Sequence, residues 1–99
     1  MKMKVSTLRA RLLVRDSRSL KDKRQVVRSV LDRIKGSWNV SAAEVGHLDD
    51  LRVIEIGVAA VGPTAESAKT AVQQIGEALR GHPIAEFLSC EFDVHFEDA

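Results

Sequence analysis

The sequence predicts an α+β sandwich of order βαββαβ, in which a four-stranded antiparallel sheet carries two helices on one face. Three observations predict it. Four segments alternate apolar and polar residues with a period of two, two segments repeat apolar residues at three and four positions, and the two kinds follow one another as strand, helix, strand, strand, helix, strand. Ninety-nine residues make one domain of ordinary size, so residues 1–99 are read as a single unit.

Strand 1 spans Lys4 to Val14, where Leu8, Ala10, Leu12 and Val14 form an apolar side and Thr7, Arg9, Arg11 and Leu13 the other. Asp16-Ser17-Arg18 is a turn. Ser19-x-x-Asp22 then has the form of a helix start, with Ser19 as cap and the Asp22 carboxylate at the positive end. Helix 1 runs to about Lys35, with Leu20, Val27, Val30, Leu31 and Ile34 on one stripe, and Gly36 is expected to end it. Strand 2 is expected over Trp38 to Val45, and the polar connection from Gly46 to Asp50 suits a hairpin. Strand 3 covers Leu51 to Val61. Its Ile54, Ile56, Val58 and Ala60 make the apolar side, and Val53, Glu55, Gly57, Ala59 and Val61 a small, mixed one. Gly62-Pro63-Thr64 breaks that strand and opens helix 2, whose Ala68, Ala71, Val72, Ile75 and Leu79 keep helical spacing until Gly81 and Pro83. Strand 4 closes the chain, with Leu88, Cys90, Phe92, Val94 and Phe96 expected inward and Phe87, Ser89, Glu91, Asp93 and His95 outward. Two βαβ halves joined by a hairpin fit the ferredoxin-like arrangement, with strand order 4-1-3-2.

Apolar residues at 44% and charged residues at 29% exclude collagen-like, low-complexity and largely disordered classes. No apolar run reaches the roughly 18 residues that cross a bilayer. Arg9 and Arg11 interrupt the first apolar stretch, which excludes a signal-peptide core. A soluble, cytoplasmic protein with no membrane partner is expected. One cysteine, Cys90, excludes an internal disulfide and a multi-cysteine zinc site, in keeping with a reducing compartment.

The net charge of +1 conceals two opposed halves. Residues 1–35 hold twelve Lys and Arg against three Asp, giving +9, whereas residues 36–99 hold three against eleven Asp and Glu, giving −8. Either a basic surface meets a polyanion, or basic and acidic elements pair within the fold. Strand order 4-1-3-2 sets Arg9 and Arg11 near Glu55, Glu91 and Asp93, which makes these two arginines structural. On helix 1, Lys21, Arg24, Arg28 and Lys35 lie within about 60° of one another and form a basic stripe. Lys23 points close to the apolar side, and its ammonium is expected to emerge at the sheet's end. There Ser19, Arg15, Arg18 and the free backbone amides would complete a phosphate site. The plainer alternative is a solvated helix, with Asp32 four residues beyond Arg28 as an ion-pair partner.

Other residues carry less. Outer positions of strand 3 and strand 1 offer no aromatic platform for stacked bases, and Phe87 is the single candidate for that role. His47, Asp49 and Asp50 are too few for a metal site and read as loop polarity. His82 ends helix 2, where a cation suits the dipole. Cys90 reads as an inert core residue. The chain has neither a Walker phosphate loop nor a nucleophile elbow, so no catalytic residue, cofactor or metal is expected, and the protein is read as not an enzyme.

Ser-Leu-Lys-Asp-Lys-Arg at 19–24, the series Val26, Val27, Ser29, Asp32 and Arg33, Asn39-Val40-Ser41 and Ala43-Glu44-Val45 resemble the signature of the YlxP-like family, small bacterial proteins of unknown function. The resemblance extends over about ninety residues by element length. It departs after Val45, with Gly46, Leu51 and Val53 where Asp, Trp and Arg are common, while His47 and Asp49 keep their places. It implies the ferredoxin-like fold and, through gene neighbours among translation initiation and ribosome-maturation factors, work linked to the ribosome. It implies no catalytic residues.

Together these readings lead to a non-enzymatic accessory factor that contacts ribosomal RNA or the ribosome through Arg18, Lys21, Lys23, Arg24, Arg28 and Lys35. The alternative is a homo-oligomeric regulatory or interaction module, a homodimer using the outer sheet face with Thr7, Val53, Gly57, Ala59 and Phe87. A weaker third reading is a small-anion site at the start of helix 1.

Overall fold

A strand with one apolar side must lie over helices, and the first strand is placed in the middle of the sheet. The computed structural model describes residues 3–96, and β1 (Lys4–Leu13) lies between β3 (Val53–Gly62) and β4 (Glu86–Phe96), with β2 (Ser41–Gly46) beyond β3. Every neighbouring pair is antiparallel, in the order expected. The helices α1 (Leu20–Ser37) and α2 (Ala65–Arg80) cover the inner face. Leu8, Ala10 and Leu12 of β1 and Ile54, Ile56 and Val58 of β3 are buried there against Val30 and Ile34 of α1 and Val72 and Ile75 of α2. Burial of each large aliphatic side chain contributes about 1.5–3 kcal/mol, so this layer carries most of the stability.

Both helices start where the sequence directs. Ser19 Oγ accepts a hydrogen bond from the Asp22 amide at 3.1 Å, and Asp22 Oδ2 accepts one from the Arg18 amide at 3.1 Å. Thr64 and Ser67 form a capping box on α2. The end of α1 differs from expectation. Helix continues through Gly36 to Ser37, because Gly36 does not take the left-handed conformation, and Trp38 caps the helix with its amide on the Ile34 carbonyl at 3.0 Å. The Trp38 indole donates to Gln74 Oε1 on α2 at 3.0 Å, which commits this residue to the helix layer and delays β2 until Ser41. Strand β3 starts late for a similar reason, since Asp50 Oδ1 accepts from the Arg52 and Val53 amides, both at 2.8 Å, and holds the preceding residues in a turn.

The main correction falls on β4. Its pairing with β1 runs Arg9 with Glu91, Ala10 with Cys90 and Arg11 with Ser89, then skips to Leu12 with Phe87. Leu88 is the extra residue of a β-bulge, and the bulge reverses side-chain parity in the residues before it. Phe87 therefore faces inward and packs on the core, with the Arg80 guanidinium 4.3 Å from its ring centre, while Leu88 is 47% exposed. Phe87 is accordingly unavailable for base stacking or for an outer-face contact. Cys90 keeps its inward place, half-buried against the core. Phe92 keeps its parity but remains 46% exposed, resting on Gly76 of α2, where an added Cβ would stand 3.1 Å from the ring. The side chain of Phe96, expected inward, lies outside the described residues.

The bulge makes an ordered prediction. Phe87→Ala is expected to cost about 1–3 kcal/mol, below the range of a fully buried Phe because the residue is only partly buried, whereas Leu88→Ser should stay within about 0.5 kcal/mol. Chemical denaturation of both variants checks this, and the reverse ranking would restore the uninterrupted alternation.

Candidate functional site

The arginines of the sheet find partners. Arg9 Nη2 is 2.6 Å from Glu91 Oε2, Arg11 Nε is 2.8 Å from Glu55 Oε1, and Arg15 Nε is 2.7 Å from Glu86 Oε2. Each couples the basic first third of the chain to an acidic residue brought alongside by the registers. Glu91 raises the pKa of Arg9 and Glu86 that of Arg15, in both cases through a hydrogen bond first and charge second. The hydrogen bond from Arg11 likewise holds Glu55 below the usual carboxylate range, against an opposing effect of burial. This portion of the charge asymmetry is structural, as expected.

Helix α1 behaves differently. Lys21, Arg24, Arg28 and Lys35 are all exposed along one flank, and among the described residues none of them enters an ion pair, nor does Arg18. The Arg28 to Asp32 pair considered from the sequence is not formed. Its order, cation before anion at four residues' spacing, is the weaker orientation on a helix because it opposes the macrodipole. The four cations extend over fifteen residues, about 21 Å of helix.

Lys23 is a correction. It is only 1% exposed, so it offers no charge to an external phosphate. The ammonium donates to the His47 backbone carbonyl and lies 3.2 Å from Glu44 Oε2. The angle at Glu44 is not that of a hydrogen bond, so among the described residues this buried oxygen is held by charge alone. The phosphate site expected at the start of α1 is likewise not assembled. Ser19 and Asp22 cap the helix, Arg15 is paired with Glu86, and Lys23 is buried, which leaves only Arg18 free.

The Lys23 contacts tie α1 to the β2–β3 connection. His47 stands at φ 53°, the left-handed region that favours Gly or Asn, and its carbonyl also accepts from the Asp50 amide at 3.0 Å. Hydrogen bonds from the Val53 and Arg52 amides hold the Asp50 pKa below its ordinary value. No three His, Cys, Asp or Glu residues come together as a metal cluster among the described residues. A signal for the Lys23 pairing did exist in the sequence. Lys23 falls in the middle of the apolar stripe of α1, and Glu44 shares the inward parity of Ala42.

His82 is a further correction. The ring does not serve as a cation at the end of α2, because Nδ1 accepts from the Ile84 and Ala85 amides at 3.2 and 2.9 Å and so carries no proton. Burial first, and the charge of Arg33 second, lower its pKa from 6.5.

The fold and its two-layer arrangement define a ferredoxin-like α+β domain with one paired and one unpaired set of cations. The family model described as "Protein of unknown function (DUF503)" matches residues 5–92, and the chain belongs to that family. It is 32% identical over 63 residues to the uncharacterized protein YlxP of Bacillus subtilis (strain 168), covering 64% of this chain and 68% of that one. A Bacillus cereus protein designated an antibiotic biosynthesis monooxygenase superposes with a TM-score of 0.48 at 14% identity, over 100% of this chain and 96% of that one. That likeness carries no argument about chemistry. Among the described residues no helix is long and apolar enough to cross a membrane.

Two predictions follow from the buried and neutral groups. Lys23→Ala strands Glu44 and is expected to cost about 3–5 kcal/mol in denaturant unfolding, and adding Glu44→Gln should recover part of the loss. A cost below about 1 kcal/mol would mean the pair is not load-sharing with the loop. For His82 the folded pKa lies below the unfolded value of 6.5, so its contribution is complete above that pH and disappears as pH falls through the folded value. His82→Asn keeps an acceptor that does not titrate, and melting curves should show a shallower decline below pH 6.5 than for the unsubstituted chain.

Proposed function

We propose that the chain is a non-enzymatic accessory factor that docks on phosphates of structured RNA, ribosomal RNA foremost, through the exposed flank of α1. The observation that carries this reading is the contrast between two sets of cations. Arg9, Arg11 and Arg15 are matched by glutamates, whereas Lys21, Arg24, Arg28 and Lys35 point outward without a carboxylate partner among the described residues. Unmatched cations in a row on a rigid helix raise the local concentration of a polyanion and release its counterions on contact.

Phe87 faces the core, and Val53, Glu55, Gly57 and Ala59 supply no ring to stack on, so bases are not splayed over this sheet in the manner of aromatic-rich RNA platforms. Contacts along α1 would position the protein by phosphate geometry and carry little sequence information. Binding without chemistry is the function proposed.

The test is anisotropy titration of a structured ribosomal RNA fragment across a salt series. With four phosphate contacts, log affinity should fall against log salt with a slope of about −3 to −4, because each contact contributes about −0.7 to −0.9. Lys21→Gln, Arg24→Gln and Arg28→Gln together should flatten that slope to about −1, while Arg9→Gln should leave it unchanged. Equal binding by the chain with and without the triple substitution would overturn the proposal. Lys23 is omitted from the set, since its loss acts on stability.

A further inference from the structure

The face of the sheet opposite the helices divides lengthwise. Its β2–β3 half carries Ser41, Ala43, Val45, Val53, Gly57, Ala59 and Val61, all small or apolar, together with Glu55, which is buried against Arg11, and Val45 is 52% and Val61 64% exposed. Its β1–β4 half carries Arg9, Arg11, Glu91 and Asp93. A shallow trough of about 360 Å³ runs along the boundary, between Val45 and Arg9 and over Gly57 and Ala59. Val45 leans across Gly57 so closely that a Cβ there would stand 2.8 Å from Val45 Cγ1.

We infer that this face receives a second copy of the chain, packed sheet against sheet about a two-fold axis lying across the strands. That axis places the β2–β3 half of one copy over the same half of the other, apolar on apolar, and charged half over charged half. A two-fold contact needs a patch complementary to itself, and mixed charges supply it. Arg9 with Glu91 and Arg11 with Glu55 are already paired within each copy, so the second copy meets neutralised rather than bare charges. Glu55, Glu91 and Asp93 outnumber the two arginines, which turns a polyanion away from this face.

The area also fits. Strands of ten, six, ten and eleven residues, at about 3.3 Å per residue and about 4.8 Å apart, offer about 600 Å² per copy, so a full contact buries about 1,200 Å², the lower bound of stable specific interfaces. Small residues along the trough allow the two sheets the approach of about 10 Å at which faces interlock. Because α1 lies on the other side of the sheet, the two α1 flanks of such a dimer face outward in opposite directions. This inference is independent of the RNA reading.

Sedimentation equilibrium over a hundredfold concentration range, at low and high salt, tests it. The chain is expected to reach twice its monomer mass and to keep it at high salt. Val45→Lys and Ala59→Glu should each weaken the dimer at least tenfold with an unchanged circular dichroism spectrum. Ala43→Lys, on an exposed position of the edge strand, replaces Ala59→Glu should that substitution disturb the sheet. The triple α1 substitution should remain dimeric. A monomer at every concentration, a dimer dissolved by salt alone, or one indifferent to folded variants of the face would each overturn the inference.

Discussion

Strand β1 has two sides that cannot be exchanged, and the rest of the molecule is arranged around that constraint. Leu8, Ala10 and Leu12 must leave water, and Arg9 and Arg11 must keep their charges hydrated or paired. A shift of one residue against either neighbour would bury two guanidinium groups and expose three apolar side chains. The register adopted on each side avoids this. On the β3 side it brings Glu55 to Arg11, and on the β4 side it brings Glu91 to Arg9. The outer pairs contribute modestly to stability, about 0.2–1 kcal/mol each, yet they agree with the register that the core selects.

A molecule of near-zero net charge thereby keeps two electrostatically different surfaces. Carboxylates supplied by the second half of the chain neutralise the sheet arginines. Those carboxylates do not reach the α1 flank, which lies on the opposite side of the sheet from Glu55 and Glu91. Lys23 separates from its neighbours on α1 for the same geometrical reason, since it falls under the helix, where Glu44 and the His47 carbonyl replace water around its ammonium. These contacts fix the β2–β3 connection to the first turns of α1.

Much of the fold was legible because it depends on periodicity. The alternation of β1 and β3, the stripe of α2 and the caps at Ser19 and Thr64 are local patterns, and they identify both the elements and the order of the sheet. The Leu88 bulge was not legible, since Phe87 and Leu88 are both apolar and either fits the inner side. Parity on β4 is decided by pairing with Leu12, a contact across the sheet. Similarly, His82 resembles any histidine at a helix end until the chain turns its own amides onto Nδ1. The stripe of Lys21, Arg24, Arg28 and Lys35 could be read directly from spacing, whereas the fate of Lys23 depended on Glu44, twenty-one positions away on another element.

Strand β2 carries a second bulge, at Val45, and together with the one at Leu88 it shapes the borders of the sheet. Strand β2 ends one border with six residues and is interrupted at Val45, and β4 ends the other and is interrupted at Leu88, with Glu86, Glu91 and Asp93 along its length. A foreign strand seeking backbone hydrogen bonds would meet a short, kinked ladder on one side and a broken, acidic one on the other. Both are devices that discourage strand addition and the fibrous growth that follows from it. The domain therefore leaves a flat surface open while its rims resist strand addition.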